Sequence, residues 1–280
     1  MTGTRNRLLQ GDCLEVLPAL ADGTYGLIYL DPPFNTGREQ SLARMTARQS
    51  ADGDRTGFGG RAYKTSRGAR RSYPDSFDDY TGWLGPRLTE AHRLLADHGT
   101  LYLHVDYREV HYCKVLLDGI FGRDNFLNEV IWAYDYGGRS KRRWPAKHDN
   151  ILVYARDHRR YVFNYNDLDR IPYMAPRLVT PEKAARGKTP TDTWWQTIVP
   201  TNSGERTGYP TQKPLAILSR IVRASSRPDD VVLDFFAGSG TTGVAAAQAG
   251  RAFTLVDSSA EAIAVMRARL DQLGIPYRLG

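Results

Sequence analysis

The chain has 280 residues, 41% hydrophobic and 25% charged, with 38 Lys and Arg against 31 Asp and Glu for a net charge of +7. That length supports a substantial core without staples, and having only two cysteines, Cys13 and Cys113, excludes a disulfide scaffold or a cysteine-rich zinc site and suits a reducing cytosol. No apolar run approaches the ~20 residues of a membrane span and "MTGTRNRLLQGD" lacks a signal-peptide core, so a soluble, cytoplasmic protein with no membrane partner is expected, while the basic excess favours a polyanionic one.

In chain order, "RLLQGDCLEVL" (7–17) reads as a strand, a Gly-Asp turn and a helix start. Leu27–Leu30 reads as a buried parallel strand, ended by "DPPF" (31–34) because neither proline can donate to a ladder. Asp31 therefore stands at a strand's carboxyl end, where open α/β sheets bind ligands. Taken alone, the same turn with a solvated Asp explains it equally well. From Arg38 to Asp75 nine basic residues face four acids with almost no apolar periodicity, which reads as a mobile basic loop.

Leu84, Leu88 and Leu95 predict a helix over 83–96 with Gly99 as its stop, followed by a strand at 100–105, a helix over 107–121 and strands at 128–134 and 150–155. The last two pair across "YGGRSKRRWPAKHD", a second basic cluster around Trp144. Residues 156–208 lose all regularity and read as an inserted subdomain or recognition region outside the sheet. Order returns with a helix whose first turn holds Pro214 and whose face carries Leu215, Leu218, Ile221 and Val222. Strands separated by helices of these lengths mean a mostly parallel α/β sheet. The organisation is 1–155, an insert 156–208, and 209–280.

Gly238-Ser239-Gly240-Thr241-Thr242-Gly243 follows the strand Val231–Leu233 and opens a helix, with Asp257 ending the next strand. A bare glycine match is a weak signal, but strand, helix and spaced acid together fit a nucleoside-cofactor site. Ser258 and Glu261 read as a capping box for the following helix. Too little chain follows Gly243 to finish the sheet, so the N-terminal half must complete it: residues 7–11 lie beside Phe253–Val256, and Asp12 projects toward Asp257. The order is that of a circular permutation.

These residues resemble the S-adenosylmethionine-dependent DNA amino-methyltransferases, in their permuted β group. "DFFAGSGTTG" (234–243) is similar to that family's cofactor motif, "DPPF" to its catalytic motif, "GD" (11–12) to the acid near the cofactor's adenine, and "TQKP" (211–214) to its helix-opening motif. The resemblance implies a circularly permuted, Rossmann-like doubly wound fold. It further implies an S-adenosyl-L-methionine site drawn from Asp12, Cys13, Lys213, Asp234, Phe236, Ala237, Gly238, Ser239, Gly240, Thr241, Thr242 and Asp257. Catalysis falls to Asp31, Pro32, Pro33 and Phe34: the carboxylate and the Pro32 carbonyl accept the amine's N–H bonds, and Phe34 stacks on the base.

A base in a duplex cannot reach such a pocket, so flipping is implied, with Arg67, Arg70, Arg71, Arg139, Lys141, Arg142, Arg143 and Lys147 on the phosphates of double-stranded DNA. Asp at the first motif position leans toward adenine N6. Cytosine N4, an RNA or protein amino-methyltransferase and a non-catalytic nucleic-acid-binding protein are the alternatives. No metal is required, and the histidines show no ligand spacing. Both cysteines read as buried fillers, not nucleophiles. A homodimer and a cognate restriction enzyme stay open as partners.

Overall fold

The computed structural model describes residues 4–37, 75–138, 140–200 and 202–280, with the backbone of five short strands between 40 and 73. The chain begins with β1 (Arg7–Gln10), α1 (Cys13–Val16) and β2 (Tyr25–Leu30). The short strands are β3 (Gln40–Leu42), β4 (Met45–Gln49), β5 (Arg55–Thr56), β6 (Ala62–Arg67) and β7 (Arg71–Tyr73). Next come α2 (Tyr80–Leu94), β8 (Leu95–Asp106), α3 (Val110–Phe121), β9 (Phe126–Ala133) and β10 (His148–Ala155). The chain continues through α4 (Pro181–Arg186), β11 (Thr193–Trp195), α5 (Leu215–Ser225), β12 (Val231–Asp234) and α6 (Thr241–Gln248), then β13 (Ala252–Asp257), α7 (Ala260–Gln272) and β14 (Arg278–Leu279).

The main sheet has nine strands in the order β11-β9-β10-β8-β2-β12-β13-β1-β14, and β10 alone runs against the rest. β2 is buried on both faces: Ile28 and Leu30 join one core with α2 and α3, while Leu27 and Tyr29 join another with α5, α6 and α7. Strand alternation sends successive side chains to opposite faces, so a near-continuous apolar run belongs in such a doubly wound sheet. The N-terminal strand lies parallel to a C-terminal one, Leu8 opposite Leu255, as the permuted order requires. The carboxyl ends of β1, β2, β12 and β13 therefore share one edge.

Several local expectations are corrected. α2 begins at Tyr80, because the Asp79 side chain accepts from the Gly82 N–H at 2.8 Å, and ends at Leu94. Gly99 is not its stop: the β2–β8 register jumps from Tyr25–Leu95 to Leu27–Thr100, and a Cβ at Gly99 would lie 2.8 Å from the Tyr25 carbonyl oxygen. Ser259, not Ser258, caps α7, and Pro214 stands just before α5. The insert is not wholly outside the sheet, since β11 extends it parallel to β9 and buries Trp194. Three residues are too short a strand to show a period. Where an irregular loop was expected after Arg38, β3 pairs with β7, and β4, β6 and β5 form a second small antiparallel sheet. Among the described residues no helix is long and apolar enough to cross a membrane.

Candidate active site

A cleft of about 760 Å³ opens along the carboxyl edge, and both signature segments line it: Asp31 to Phe34 from β2, and Ala237 to Ser239 from the turn after β12. Segments some two hundred residues apart meet because β2 and β12 are hydrogen-bonded neighbours. Asp12, Cys13, Asp234, Phe236, Thr241, Thr242 and Asp257 line the same cleft. Gly240 lies at its back, in the left-handed turn (φ +73°) that caps α6, where a Cβ would meet Met266 Cγ at 2.7 Å.

The corner formed by Asp31 to Phe34 is held from several sides. Tyr80 donates its hydroxyl to the Pro33 carbonyl at 2.7 Å. Asn35 sits at φ +53°, a region Asn tolerates better than most residues. Its N–H donates to Asp75 (2.7 Å), its amide to Glu109 (2.8 Å), and its side-chain oxygen accepts from the Phe77 N–H (2.8 Å). Lys213, expected at the cofactor, lines the same cleft, donates to Asp31 Oδ2 at 2.5 Å and stands 4.9 Å from the Phe34 ring centre. The other carboxylate oxygen, Asp31 Oδ1, is buried with no hydrogen-bond partner among the described residues. A buried acceptor in that condition is costly, and an incoming N–H donor relieves it.

Behind this corner runs a polar chain that residue spacing did not reveal. His104 is fully buried, its Nδ1 2.7 Å from the Tyr29 hydroxyl and 4.0 Å from Asp31 Oδ1, and its Nε2 3.2 Å from Asp149. Tyr134 donates to the other Asp149 oxygen at 2.9 Å. Burial works to raise the Asp149 carboxyl, but His104, Lys213 and Tyr134 outweigh it and hold the group below the ordinary carboxylate value. His104 also packs on Phe34, ring centres 5.7 Å apart. The spacing of the histidines gave no sign of this; only the tertiary fold brings His104 to Asp31.

On the cofactor side, Asp257 accepts from the Gly238 N–H and the Ser259 N–H, both at 2.8 Å, which fixes the carboxylate beside the glycine turn. Asp234 accepts from the Phe236 N–H and the Thr242 hydroxyl; burial, with Asp31 and Asp257 adding to it, pushes its carboxyl up to about 7. Asp12 caps α1 through the Leu14 N–H and lies 3.5 Å from Arg87, which stacks over Trp83. Arg269, buried on α7, donates to the Ser239 carbonyl and the Thr241 hydroxyl and braces the turn from behind. The acidic side chains of Asp12, Asp234 and Asp257 around the glycine turn suit a cationic nucleoside with ribose hydroxyls. Both cysteines are buried and unbridged, and burial pushes both thiols up, Cys113 to about 12.

Of the expected phosphate contacts, Lys141, Arg142 and Arg143 are exposed on the loop joining β9 to β10. Lys147 turns inward and donates to the Tyr136 and Gly137 carbonyls. Arg67 and Arg71 lie on β6 and β7, where only backbone is described, and Arg70 and Arg139 fall outside the described residues.

Known proteins match this arrangement along most of its length. The chain is 28% identical to the Type II methyltransferase M.HpaI of Haemophilus parainfluenzae over 95% of itself and 74% of that protein. It is also 28% identical to the DNA adenine methyltransferase YhdJ of Escherichia coli K12, over 94% and 82%. Among solved structures, the cytosine-N4-specific PvuII DNA methyltransferase superposes with a TM-score of 0.66 at 15% identity, covering 95% of this chain and 87% of that one. The M1.HpyAVI–SAM complex gives 0.59 at 20% identity, covering 95% and 98%. These two establish the fold as that of class I methyltransferases. A family model described as DNA methylase, of the N6/N4 methyltransferases, matches residues 25–267 and so takes in both the DPPF corner and the glycine turn; the chain belongs to that family.

Proposed function

We propose that this DNA methylase transfers a methyl group from S-adenosyl-L-methionine to the exocyclic amine of a base flipped out of double-stranded DNA, and that the base is adenine, methylated at N6. The observation that carries the reading is the buried Asp31 Oδ1, lacking a hydrogen-bond partner among the described residues, in the same cleft as the glycine turn. The cofactor, when bound, supplies an electrophilic sulfonium methyl. The turn at Gly238–Gly240, Asp257 and Asp12 would hold it.

An adenine amine is a weak nucleophile because its lone pair is delocalised into the ring. Asp31 Oδ1 and the Pro32 carbonyl accept its two N–H bonds, which favours the pyramidal nitrogen and stabilises the positive charge that grows there as the N–C bond forms at the expense of the methyl–sulfonium bond, which would leave a neutral thioether; one of the two N–H protons then passes to Asp31 Oδ1 on its way to solvent. Lys213 holds the other Asp31 oxygen, so the carboxylate is oriented before the base arrives. Phe34, supported by His104, supplies the stacking face. The diproline keeps the corner rigid, and little reorganisation remains for the reaction itself.

Adenine is favoured by Asp at the head of the motif and by the relative named as a DNA adenine methyltransferase. The relative named Type II methyltransferase M.HpaI supports a cognate restriction enzyme. The test incubates unmethylated plasmid DNA with methyl-labelled S-adenosylmethionine and digests it to nucleosides. Label in N6-methyldeoxyadenosine is expected, falling below about 1% with Asp31→Ala while cofactor affinity is kept. Label in N4-methyldeoxycytidine transfers the reading to the other amine, and none in either nucleoside overturns it.

A further inference from the structure

The loop between β9 and β10, residues 134–147, leaves the sheet at the Asp31 edge, because β9 runs parallel to β8 and β2 and β10 alone returns. From β2 to the middle of that hairpin is two and a half strand spacings, roughly 12 Å across the sheet. Its stem is tied down. His148 pairs with Ala133, Tyr134 donates to Asp149, and Lys147 donates to the carbonyls of Tyr136 (2.5 Å) and Gly137 (2.8 Å). Asp149 in turn meets His104, which packs on Phe34, so the stem is part of the wall behind the base-stacking ring.

The tip is the opposite. Lys141, Arg142 and Arg143 are exposed, and Trp144 beside them is 95% exposed, held by the restricted backbone of Pro145. An indole left almost wholly in water contributes nothing to the fold, and beside three cations on the active-site edge it marks an interaction surface. Taking the flipping reading as given, we propose that Trp144 is the wedge that enters the duplex stack where the target base leaves it, with Lys141, Arg142 and Arg143 on the adjoining phosphates.

The flipped nucleotide leaves a slot about 3.4 Å thick, the rise of one base step. An indole fills that thickness, stacks on both neighbouring bases and blocks the return of the extruded one. Apolar side chains inserted between base steps act in this way elsewhere. Trp195, 77% exposed at the end of β11, is the competing aromatic, but β11 lies beyond β9 and farther from Asp31.

The site methylated in plasmid DNA is first read by sequencing; absence of any methylation at this stage is a failure of the functional reading, not of the wedge. Single-turnover transfer is then measured on an oligonucleotide duplex carrying that site, with the target base paired or facing an abasic position. Trp144→Ala is expected to slow transfer about ten- to a hundred-fold on the paired duplex and to come within about threefold of the unsubstituted protein on the abasic-opposed one, where little unpairing remains. Trp144→Phe recovers part of the loss, and cofactor affinity stays within about twofold, showing the fold intact. Equal losses on both duplexes, no loss on either, or the paired-specific loss appearing in Trp195→Ala instead of Trp144→Ala would overturn the assignment.

Discussion

Lys213 reaches Asp31 from the turn before α5, and the contact changes what its substitution should do. A cofactor ligand and a positioning cation differ in their kinetic signatures. Since the ammonium bonds the carboxylate proposed to accept the amine and lies over the Phe34 ring, Lys213→Met should lower the methyl-transfer rate about ten- to a hundred-fold. Cofactor affinity, read by titration calorimetry, should change by less than about threefold. A reversed pattern, weak cofactor binding with an unaltered rate in saturating cofactor, would return Lys213 to the cofactor site. At this scale the sequence was informative where a residue's neighbours in the chain also make its chemistry, as in the DPPF corner and the glycine turn. It was silent on the His104–Asp149 pair and on the target of Lys213, because those contacts exist only once β2, β8, β10 and the turn before α5 are side by side.

The turn following β2 is held in shape largely by one residue. Asn35 adopts φ +53° and uses its main-chain N–H, its amide and its side-chain oxygen to join the DPPF corner to Asp75, Glu109 and Phe77. Asn35→Ala keeps the main-chain bond, loses two side-chain bonds and incurs the left-handed cost; the sum is about 2–4 kcal/mol of stability. Asn35→Gly removes the conformational part and should be milder, by about 1 kcal/mol, when both are compared by denaturant unfolding. Equal stabilities for the two variants would mean that the backbone conformation carries no cost there. Element types were legible from apolar spacing, which is why most strands and helices of the main sheet, the short edge strands β11 and β14 excepted, are where the pattern put them. Boundaries were not. The α2 start depends on the reach of Asp79 to Gly82, and Gly99 serves a close approach to Tyr25 that resembles a helix stop in one dimension.

At the scale of the whole molecule, every functional group described lies on the carboxyl edge of one sheet, and that edge must also meet the DNA. The permuted order follows from the same geometry: β1 lies beside β13, leaving β2 and β12 adjacent so that the DPPF corner and the glycine turn face one cleft. The excess of 38 basic over 31 acidic residues is modest, so its effect on DNA depends on placement. Lys141, Arg142 and Arg143 stand exposed on the loop at that edge, whereas Lys147 is bound to carbonyls of the same loop. If each of the three neutralises one phosphate, the slope of log affinity against log salt should become shallower by about 2.7 when all three are replaced by alanine, at roughly 0.9 per contact. Lys147→Ala should leave that slope nearly unchanged and instead loosen the loop, seen as faster amide exchange at Tyr136 and Gly137. Fluorescence anisotropy of a labelled duplex between 50 and about 200 mM salt, the range over which such contacts act, measures both slopes. An unchanged slope in the triple variant would place the phosphates against another surface, leaving the 38–75 segment as the remaining cationic candidate.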